Sequence, residues 1–182
     1  MELSNHLQLF REKAEAVQVV VQEVDSLAEA CRYAVELTRS QGGATIAGPG
    51  WDPDTLSLLK DSCEPAQIEL LTENLRDQAG RLHTGFTLAD WGLAETGTLV
   101  LESSSEDLRL ATMLSETHVA VLPASRLKAD VWALEEELNF LMHSPPRYLA
   151  FITGASRTAD IERVLTLGVH GPLEMHLLIL KD

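Results

Sequence analysis

Short apolar segments typical of β-strands alternate with segments of helical periodicity along most of this chain. The strand-like segments cover 17–24, 44–48, 67–71, 117–123, 148–152 and 175–180. The helix-like segments cover 4–16, 27–37, 72–82 and 127–142. This alternation is typical of an α/β fold with a mostly parallel sheet. Because the sequence has no internal repeat, low-complexity tract or linker, it predicts a single domain over residues 1–182.

The length and the cysteine content limit the kinds of site that the chain can form. A chain of 182 residues, of which 45% are hydrophobic, is long enough to close one hydrophobic core. Its two cysteines, Cys31 and Cys63, are far apart and in no CxxC pattern, so we expect both to be core residues. A protein-bound iron–sulfur cluster normally needs about four thiolates, so these two cannot hold one alone.

The net charge narrows the possible partners. At a formal charge of −14, the surface repels nucleic acid phosphates and anionic membranes. We therefore expect no nucleic-acid binding and no membrane insertion, and an anionic ligand needs a locally positive site. The sequence shows no secretory signal and no apolar stretch of membrane length, which predicts a cytoplasmic protein.

A polar loop, TGASR at 153–157, follows the strand-like segment 148–152. If 148–152 is a central strand and 158–166 is the helix after it, the loop lies at the carboxyl end of a parallel strand. Ligands commonly bind at that edge of an α/β sheet. The unpaired amide groups at the start of the helix would attract an anion. The spacing thus predicts an anion site between 152 and 158.

Side chains in this loop fit the same interpretation. Gly154 permits a sharp turn, Ser156 and Thr158 can donate hydroxyl groups, and Arg157 can donate two parallel hydrogen bonds to a carboxylate or phosphate. The structural alternative is that the hydroxyls cap the helix and that Arg157 pairs with an acid such as Asp160. Both interpretations remain open from the residues alone.

The turn GVHGP places His170 between two glycines, before the last strand-like segment. His170 is a candidate general acid or base, or it holds the turn by bonding a carbonyl oxygen. It has no evident metal-ligating partner at close spacing, so no metal site is predicted. His118 and His176 lie in strand-like segments, and we expect both to be packed in the interior.

A second polar group lies in ADWGLAETGTLVLES, where Asp90, Glu95 and Thr96 surround the glycine-containing turn at Gly97. A carboxylate beside such a turn can act as a nucleophile or a general base. The alternative is a hairpin in which Glu95 is exposed to solvent and Thr96 satisfies the turn. Arg109 is either a charge partner to one of the two polar groups or a surface residue on a short helix.

Three segments together carry a resemblance to a known family. They are ADWGLAETGTLVL, HVAVLP and TGASRTADIERVLTLGVHGPLEMHLLIL, and the last is the most specific. They resemble the lactate-utilisation protein C family, whose members are LUD-domain proteins (LutC/YkgG-like). Ala155 departs from the family pattern, which commonly has proline there. The resemblance implies a three-layer α/β/α fold similar to the NagB/RpiA/CoA-transferase class.

The resemblance also implies a function and a set of site residues. The family is associated with oxidation of L-lactate to pyruvate by a three-component system whose other members carry iron–sulfur clusters. This chain is then expected to be the component without a cluster or other cofactor, with iron–sulfur proteins as its partners. The site positions that the resemblance marks are Asp90, Glu95, Thr96, Gly97, Gly154, Ser156, Arg157, Thr158, Asp160, His170 and Gly171.

Two alternatives stay open at this stage. Related folds suggest a CoA-transferase-like or nucleotide-using enzyme with Glu95 as its nucleophile or base. The other alternative is a module that binds a carboxylate through Arg157 without reaction. The sequence predicts that the segments around Glu95 and Arg157 gather into a shared pocket.

Overall fold

The computed structural model describes residues 2–143, 147–158, 166–167 and 170–181. Its strands form a six-stranded sheet, a four-stranded sheet and a two-stranded sheet. The α-helices are α1 (Glu2–Ala16), α2 (Leu27–Ser40), α3 (Pro53–Ala66), α4 (Glu106–Leu114) and α5 (Glu135–Met142). The strands are β1 (Val20–Val24), β2 (Thr45–Ala47), β3 (Glu69–Leu71), β4 (Thr84–Leu88), β5 (Trp91–Leu93), β6 (Thr98–Glu102), β7 (Thr117–Pro123), β8 (Leu127–Lys128), β9 (Leu149–Ile152), β10 (Arg157–Thr158), β11 (Thr166–Leu167) and β12 (Glu174–Leu180).

The central sheet has six strands in the order β1-β12-β7-β4-β2-β3, and every neighbouring pair is parallel. Its interior strands β7 and β12 are mostly apolar, and nearly all of their residues are buried because both of their faces are covered. The prediction of an α/β fold with a mostly parallel sheet is therefore confirmed.

Successive side chains of the central strands pack into two separate cores, one on each face of the sheet. Val119 and Val121 face the core formed with α2 and α3, whereas Ala120 and Leu122 face the core that contains Phe10 of α1. Strand β6 covers the same face as α1. The two helical layers on either side of the sheet give the three-layer α/β/α arrangement that the resemblance implies.

The prediction that 148–152 is a central strand of the parallel sheet is wrong. It forms β9, the edge of a four-stranded sheet in the order β8-β5-β6-β9, and it pairs antiparallel with β6. Phe151 in this strand remains 49% exposed. Apolar composition favours a strand, but the available partner decides which sheet it joins, and β6 offers its free edge to this segment.

The predicted helix 158–166 is also wrong at both of its ends. Arg157 pairs with Leu167, and Thr158 pairs with Thr166, in the antiparallel pairing of β10 with β11. Residues 159–165, including Asp160, lie outside the described residues. Because the backbone at 157–158 is paired as a strand, the helix start proposed at 158 does not provide amide groups for an anion.

Two other predicted helices are shorter than their periodicity suggests. The segment predicted at 72–82 forms a 3₁₀ turn at Leu75–Arg81. In the segment predicted at 127–142, residues 127–128 form β8, and α5 begins only after a 3₁₀ turn at Trp132–Leu134. The late start has a local cause, because the carboxylate of Asp130 accepts a hydrogen bond from the Ala133 amide at 3.0 Å.

The interior contains the residues that the sequence assigns to it. Cys31 and Cys63 are both buried with free thiols in the core beneath α2 and α3. His118 and His176 are buried on β7 and β12. In the described part of the chain, no helix combines the length and the apolar character needed to span a bilayer.

His118 makes the fold sensitive to acid. It is 1% exposed, and its Nε2 lies 2.8 Å from Thr87 Oγ1. Burial lowers the pKa of His118 from 6.5 to about 4. Since the folded-state pKa lies below the unfolded-state value, the stabilisation from the neutral ring is full above a pH of about 6.5. It is lost as the pH falls toward about 4.

We expect His118→Gln, which removes the titration and keeps a hydrogen-bonding group, to lose less stability than the wild type on acidification. The difference between pH about 7.5 and pH about 4 should be about 3 kcal/mol. Urea unfolding of both proteins at the two pH values measures it. Parallel pH dependence in the two proteins would contradict a buried neutral ring.

Candidate functional site

The two polar segments singled out in the sequence meet at the end of the β6–β9 pair. Leu99 lies opposite Ile152 in the register, and the next residues are joined by hydroxyl contacts. Thr98 Oγ1 lies 2.7 Å from Thr153 Oγ1 and 2.7 Å from Thr96 Oγ1. The chain thus brings together two loops that are 55 residues apart in the sequence.

Two glycines of the predicted site hold this junction against the end of α1. Gly97 and Gly154 have φ values of +65° and +79°, which favour glycine. A Cβ atom on Gly97 would lie 2.5 Å from the backbone nitrogen of Ala14, and one on Gly154 would lie 2.9 Å from the carbonyl oxygen of Val17. Both glycines therefore allow close backbone contact with the end of α1.

Asp90 is used inside the small sheet. Its Oδ2 accepts a hydrogen bond from the Glu102 amide at 2.7 Å, which ties the start of the β5–β6 hairpin to its end. Burial raises the pKa of Asp90, and the hydrogen bond from Glu102 and the charge of Arg126 partly oppose this increase. This geometry gives Asp90 a structural contact within the hairpin.

Glu95 is exposed on the turn between β5 and β6. Its backbone amide donates to the carbonyl oxygen of Ala129 at 2.9 Å. The neighbouring Thr96 is also exposed, and its hydroxyl bonds Thr98. The turn therefore has the form of the structural alternative, with the carboxylate in solvent.

Four residues of the predicted site converge on a cleft of about 370 Å³ on the other side of this junction. They are Gly154, Ser156, His170 and Gly171. The Ser156 amide donates to the carbonyl oxygen of Pro172 at 2.9 Å, and a Cβ atom on Gly171 would lie 3.1 Å from Ser156 Cβ. The loop after β9 and the turn before β12 are therefore packed against each other. We call this cavity the Arg109 cleft, after the cation in its wall.

Arg109 reaches the cleft from α4 and is held there by three contacts. Its Nη1 donates to the carbonyl oxygens of Ser103 at 2.5 Å and Ser104 at 2.9 Å. Its guanidinium carbon lies 5.0 Å from the ring centre of Tyr148, a cation–π distance. Ser103 in turn donates its amide to the Tyr148 carbonyl oxygen at 2.7 Å, which joins the segment after β6 to the start of β9.

The Arg109 cleft is locally basic on an acidic protein. Among the described residues that line it, Arg109 and His170 can carry a positive charge, and none is an aspartate or glutamate. Glu106, one helical turn before Arg109, is paired with Arg76 on the outer surface. With a net charge of −14 over the chain, this cleft offers an anion a cation in a wall whose described lining contains no carboxylate.

The remaining predicted residues do not join the cleft in the described structure. Arg157 is exposed on β10 and is absent from the described lining of the cleft. Thr158 contributes its backbone to the β10–β11 pairing, and Asp160 lies outside the described residues. The predicted shared pocket of Glu95 and Arg157 is thus not formed by the described lining, although their two loops touch through Thr98 and Thr153.

Comparison with known proteins identifies the family. A sequence model of the LUD domain matches residues 7–180. The chain belongs to the LUD domain family. Curated relatives named lactate utilization protein C include one from Halalkalibacterium halodurans, which is 35% identical over 113 residues, or 60% of this chain and 49% of its own length. One from Exiguobacterium is 33% identical over 138 residues, or 72% of this chain and 56% of its own length. This LUD domain spans about half the length of the curated relatives that it matches.

A solved structure supports the fold. The crystal structure of a DUF162 family protein from Deinococcus radiodurans superposes with a TM-score of 0.65 at 15% identity, and the match covers 99% of each chain. At this level of identity the likeness concerns the architecture, which agrees with the parallel sheet and its helical layers.

Some lining residues of the Arg109 cleft were not singled out in the sequence as site residues. They are Ser103, Thr112, Met113 and Tyr148. The sequence contains one usable signal, because Ser105 caps α4 and places Arg109 and Met113 one turn apart on the same helix. In the described part of the LUD domain, no group of three or more His, Cys, Asp or Glu side chains is placed to hold a metal ion.

We expect Gly97→Ala to destabilise the protein more than Gly42→Ala. Both glycines have positive φ, but a Cβ atom on Gly42 would meet nothing within 4 Å, whereas one on Gly97 would strike the backbone of α1. The strained φ alone costs roughly 1–2 kcal/mol, and displacing α1 should add about 1–3 kcal/mol. Urea unfolding of the two variants measures the difference. Equal losses would indicate that the loop moves away from α1 without cost.

Proposed function

We propose that this LUD domain serves lactate utilization by binding a small carboxylate in the Arg109 cleft. The names of the curated relatives support the biological process. Because the chain spans about half of their length, we also propose, for this chain, the role in lactate utilization that their names give. The chemistry of the cleft supports the kind of ligand.

The observation that carries the proposal is a half-buried guanidinium in a cleft without lining carboxylates. Arg109 uses Nη1 for both of its hydrogen bonds within the described structure, so Nε and Nη2 are suited to a second acceptor such as a carboxylate. Thr112, Ser156 and His170 line the same space. A volume of about 370 Å³ lies within the range of small-molecule sites.

We also propose that this component holds no iron–sulfur cluster and acts in the cytoplasm with iron–sulfur partner proteins. The chain has two cysteines, and burial raises the pKa of each thiol to about 11, which disfavours the thiolate that a cluster needs. Oxidation of lactate to pyruvate releases two electrons, and the partners' clusters would accept them. This domain would bind the carboxylate and present it to the partners.

Acyl transfer by Glu95 is less well supported by the geometry. Glu95 is exposed on the β5–β6 turn and is absent from the described lining of the Arg109 cleft. A carboxylate in solvent has no neighbouring donor to orient a substrate against it. The CoA-transferase-like alternative stays a prediction.

We expect Arg109→Ala to weaken binding of L-lactate by about 10–100-fold, since a hydrogen bond to a charged partner contributes roughly 1.5–3 kcal/mol. Isothermal titration calorimetry of the full chain measures the affinity. Arg81→Ala is the matched control, because Arg81 is exposed and pairs with Glu69 outside the Arg109 cleft, and the affinity of this variant should be unchanged.

Arg109 also bonds two carbonyl oxygens, so the melting temperature of each variant is measured alongside. Arg109→Lys, which keeps the charge but loses the paired donors, should bind with intermediate affinity. A folded Arg109→Ala variant that binds L-lactate as tightly as the wild type would refute the carboxylate site.

We expect the purified chain to oxidise no L-lactate with a dye acceptor, because the proposal assigns electron transfer to the partners. Adding cluster-loaded iron–sulfur proteins of the same lactate-utilisation system should produce dye reduction and co-elution in size-exclusion chromatography. Dye reduction by the chain alone would overturn its role as a non-redox component.

A further inference from the structure

A second cleft of about 540 Å³ opens directly beside the Arg109 cleft. The two clefts share Met113, His170 and Gly171 in their walls. The two clefts are therefore adjacent on the protein surface, and these three residues border both of them.

Gly171 lies where the two clefts meet. A Cβ atom on it would stand 3.1 Å from Ser156 Cβ and 3.7 Å from the Met113 carbonyl oxygen. A side chain at this position would occupy the space between the loop after β9 and the end of α4. Glycine at this position lets the turn before β12 approach Ser156 closely.

The second cleft has an apolar wall that the fold leaves exposed. Met113, Leu114 and Leu173 all line it and are 54%, 45% and 51% exposed. Exposed apolar side chains clustered around a concave surface are typical of a site for an apolar group. The wall lies next to the cleft that holds the cation, so the two together suit a ligand with a charged head and an apolar tail.

The proposed lactate ligand is small for this space. Lactate has six heavy atoms, and each occupies no more than the roughly 30 Å³ that a water molecule takes up in the liquid. Lactate would therefore fill less than half of the Arg109 cleft, whose volume is about 370 Å³. It would leave the second cleft empty. A longer carboxylate would bury its methylene groups against Met113 and Leu173.

We infer that the site takes monocarboxylates with an apolar chain of several carbons, bound with the carboxylate on Arg109 and the chain across Met113 and Leu173 into the second cleft. This inference rests on the proposed function, because it uses the same Arg109 cleft for the head group. It names the substrate class as chain-extended carboxylates, with lactate as the short member.

Glu116 limits what the far end of the ligand can be. Glu116 lines the second cleft, and its side chain is 66% exposed with the carboxylate 4.0 Å from His83 Nε2. A second carboxylate at this end of the ligand would face a like charge. The site therefore favours an uncharged end, as in a monocarboxylate.

The test measures the affinity of the full chain for a series from L-lactate through 2-hydroxybutanoate and 2-hydroxyhexanoate to 2-hydroxyoctanoate by calorimetry. The expected result is a rise in affinity of about two- to fourfold for each added methylene, and full burial of a methylene corresponds to about 0.8 kcal/mol. Leu173→Ser should flatten this rise while leaving the affinity for L-lactate unchanged. Leu58→Ser, at a similarly exposed leucine on α3, should keep the rise.

A second measurement, of dicarboxylate binding, needs no variant in the apolar wall. It therefore tests the inference even if Leu173→Ser fails to fold. A dicarboxylate of the same chain length should bind at least about fivefold more weakly than the monocarboxylate, and Glu116→Gln should reduce this difference. Equal affinity for the two ligands in the wild type would overturn the placement of the chain end beside Glu116.

The outcomes separate this inference from the proposal beneath it. Binding of L-lactate without any gain from added methylenes would overturn the chain-extended class and leave the proposed function intact. Failure of every carboxylate to bind would overturn both.

Discussion

The antiparallel pairing of β6 with β9 is the interaction on which the candidate site depends. It aligns Glu102 with Leu149 at one end and Leu99 with Ile152 at the other, and the Ser103 amide extends it by bonding the Tyr148 carbonyl oxygen at 2.7 Å. One end places Tyr148 beside Arg109, and the other brings the loop that carries Gly154 and Ser156 to the turn before β6. Backbone groups at a strand edge need partners, so a segment of suitable length and composition completes the small sheet. The walls of the Arg109 cleft follow from that completion.

Electrostatics then decides what the cleft can do. The chain is strongly acidic, and most of its surface would repel an anion. Arg109 is half-buried and is held by two carbonyl oxygens and a tyrosine ring, and Glu106, one helical turn away, is paired with Arg76. A cation fixed in this way loses little conformational freedom when a carboxylate binds. Arg157, which has the same chemistry in the sequence, is exposed on the β10–β11 hairpin.

The glycine-containing segments show that the same residue type can have different roles in the sequence interpretation and in the structure. Gly97 and Gly154 are conspicuous in the sequence beside hydroxyl and acidic residues, which suggests ligand binding. In the structure both contact the end of α1, at Ala14 and Val17, where no side chain would fit. Gly154 also lines the Arg109 cleft, as does Gly171 together with His170. A glycine in a sequence indicates that the backbone must turn or approach something closely, but the neighbour it approaches is set by packing.

The sequence by itself determined the layered architecture, because its strand-like and helical patterns are local and a strand with two covered faces must be mostly apolar. The run at 117–123 illustrates this, with Val119 and Val121 facing one core and Ala120 and Leu122 the other. It also predicted two polar, glycine-containing loops, one at Ser156 and one at His170, on either side of a predicted helix. Only the tertiary structure decided that 148–152 joins an edge rather than the centre of a sheet, that residues 157–158 form a strand, and that Arg109 is the cation of the cleft. Those outcomes depend on which distant backbone edge and which distant side chain a segment meets, and a local pattern of residues carries no information about either.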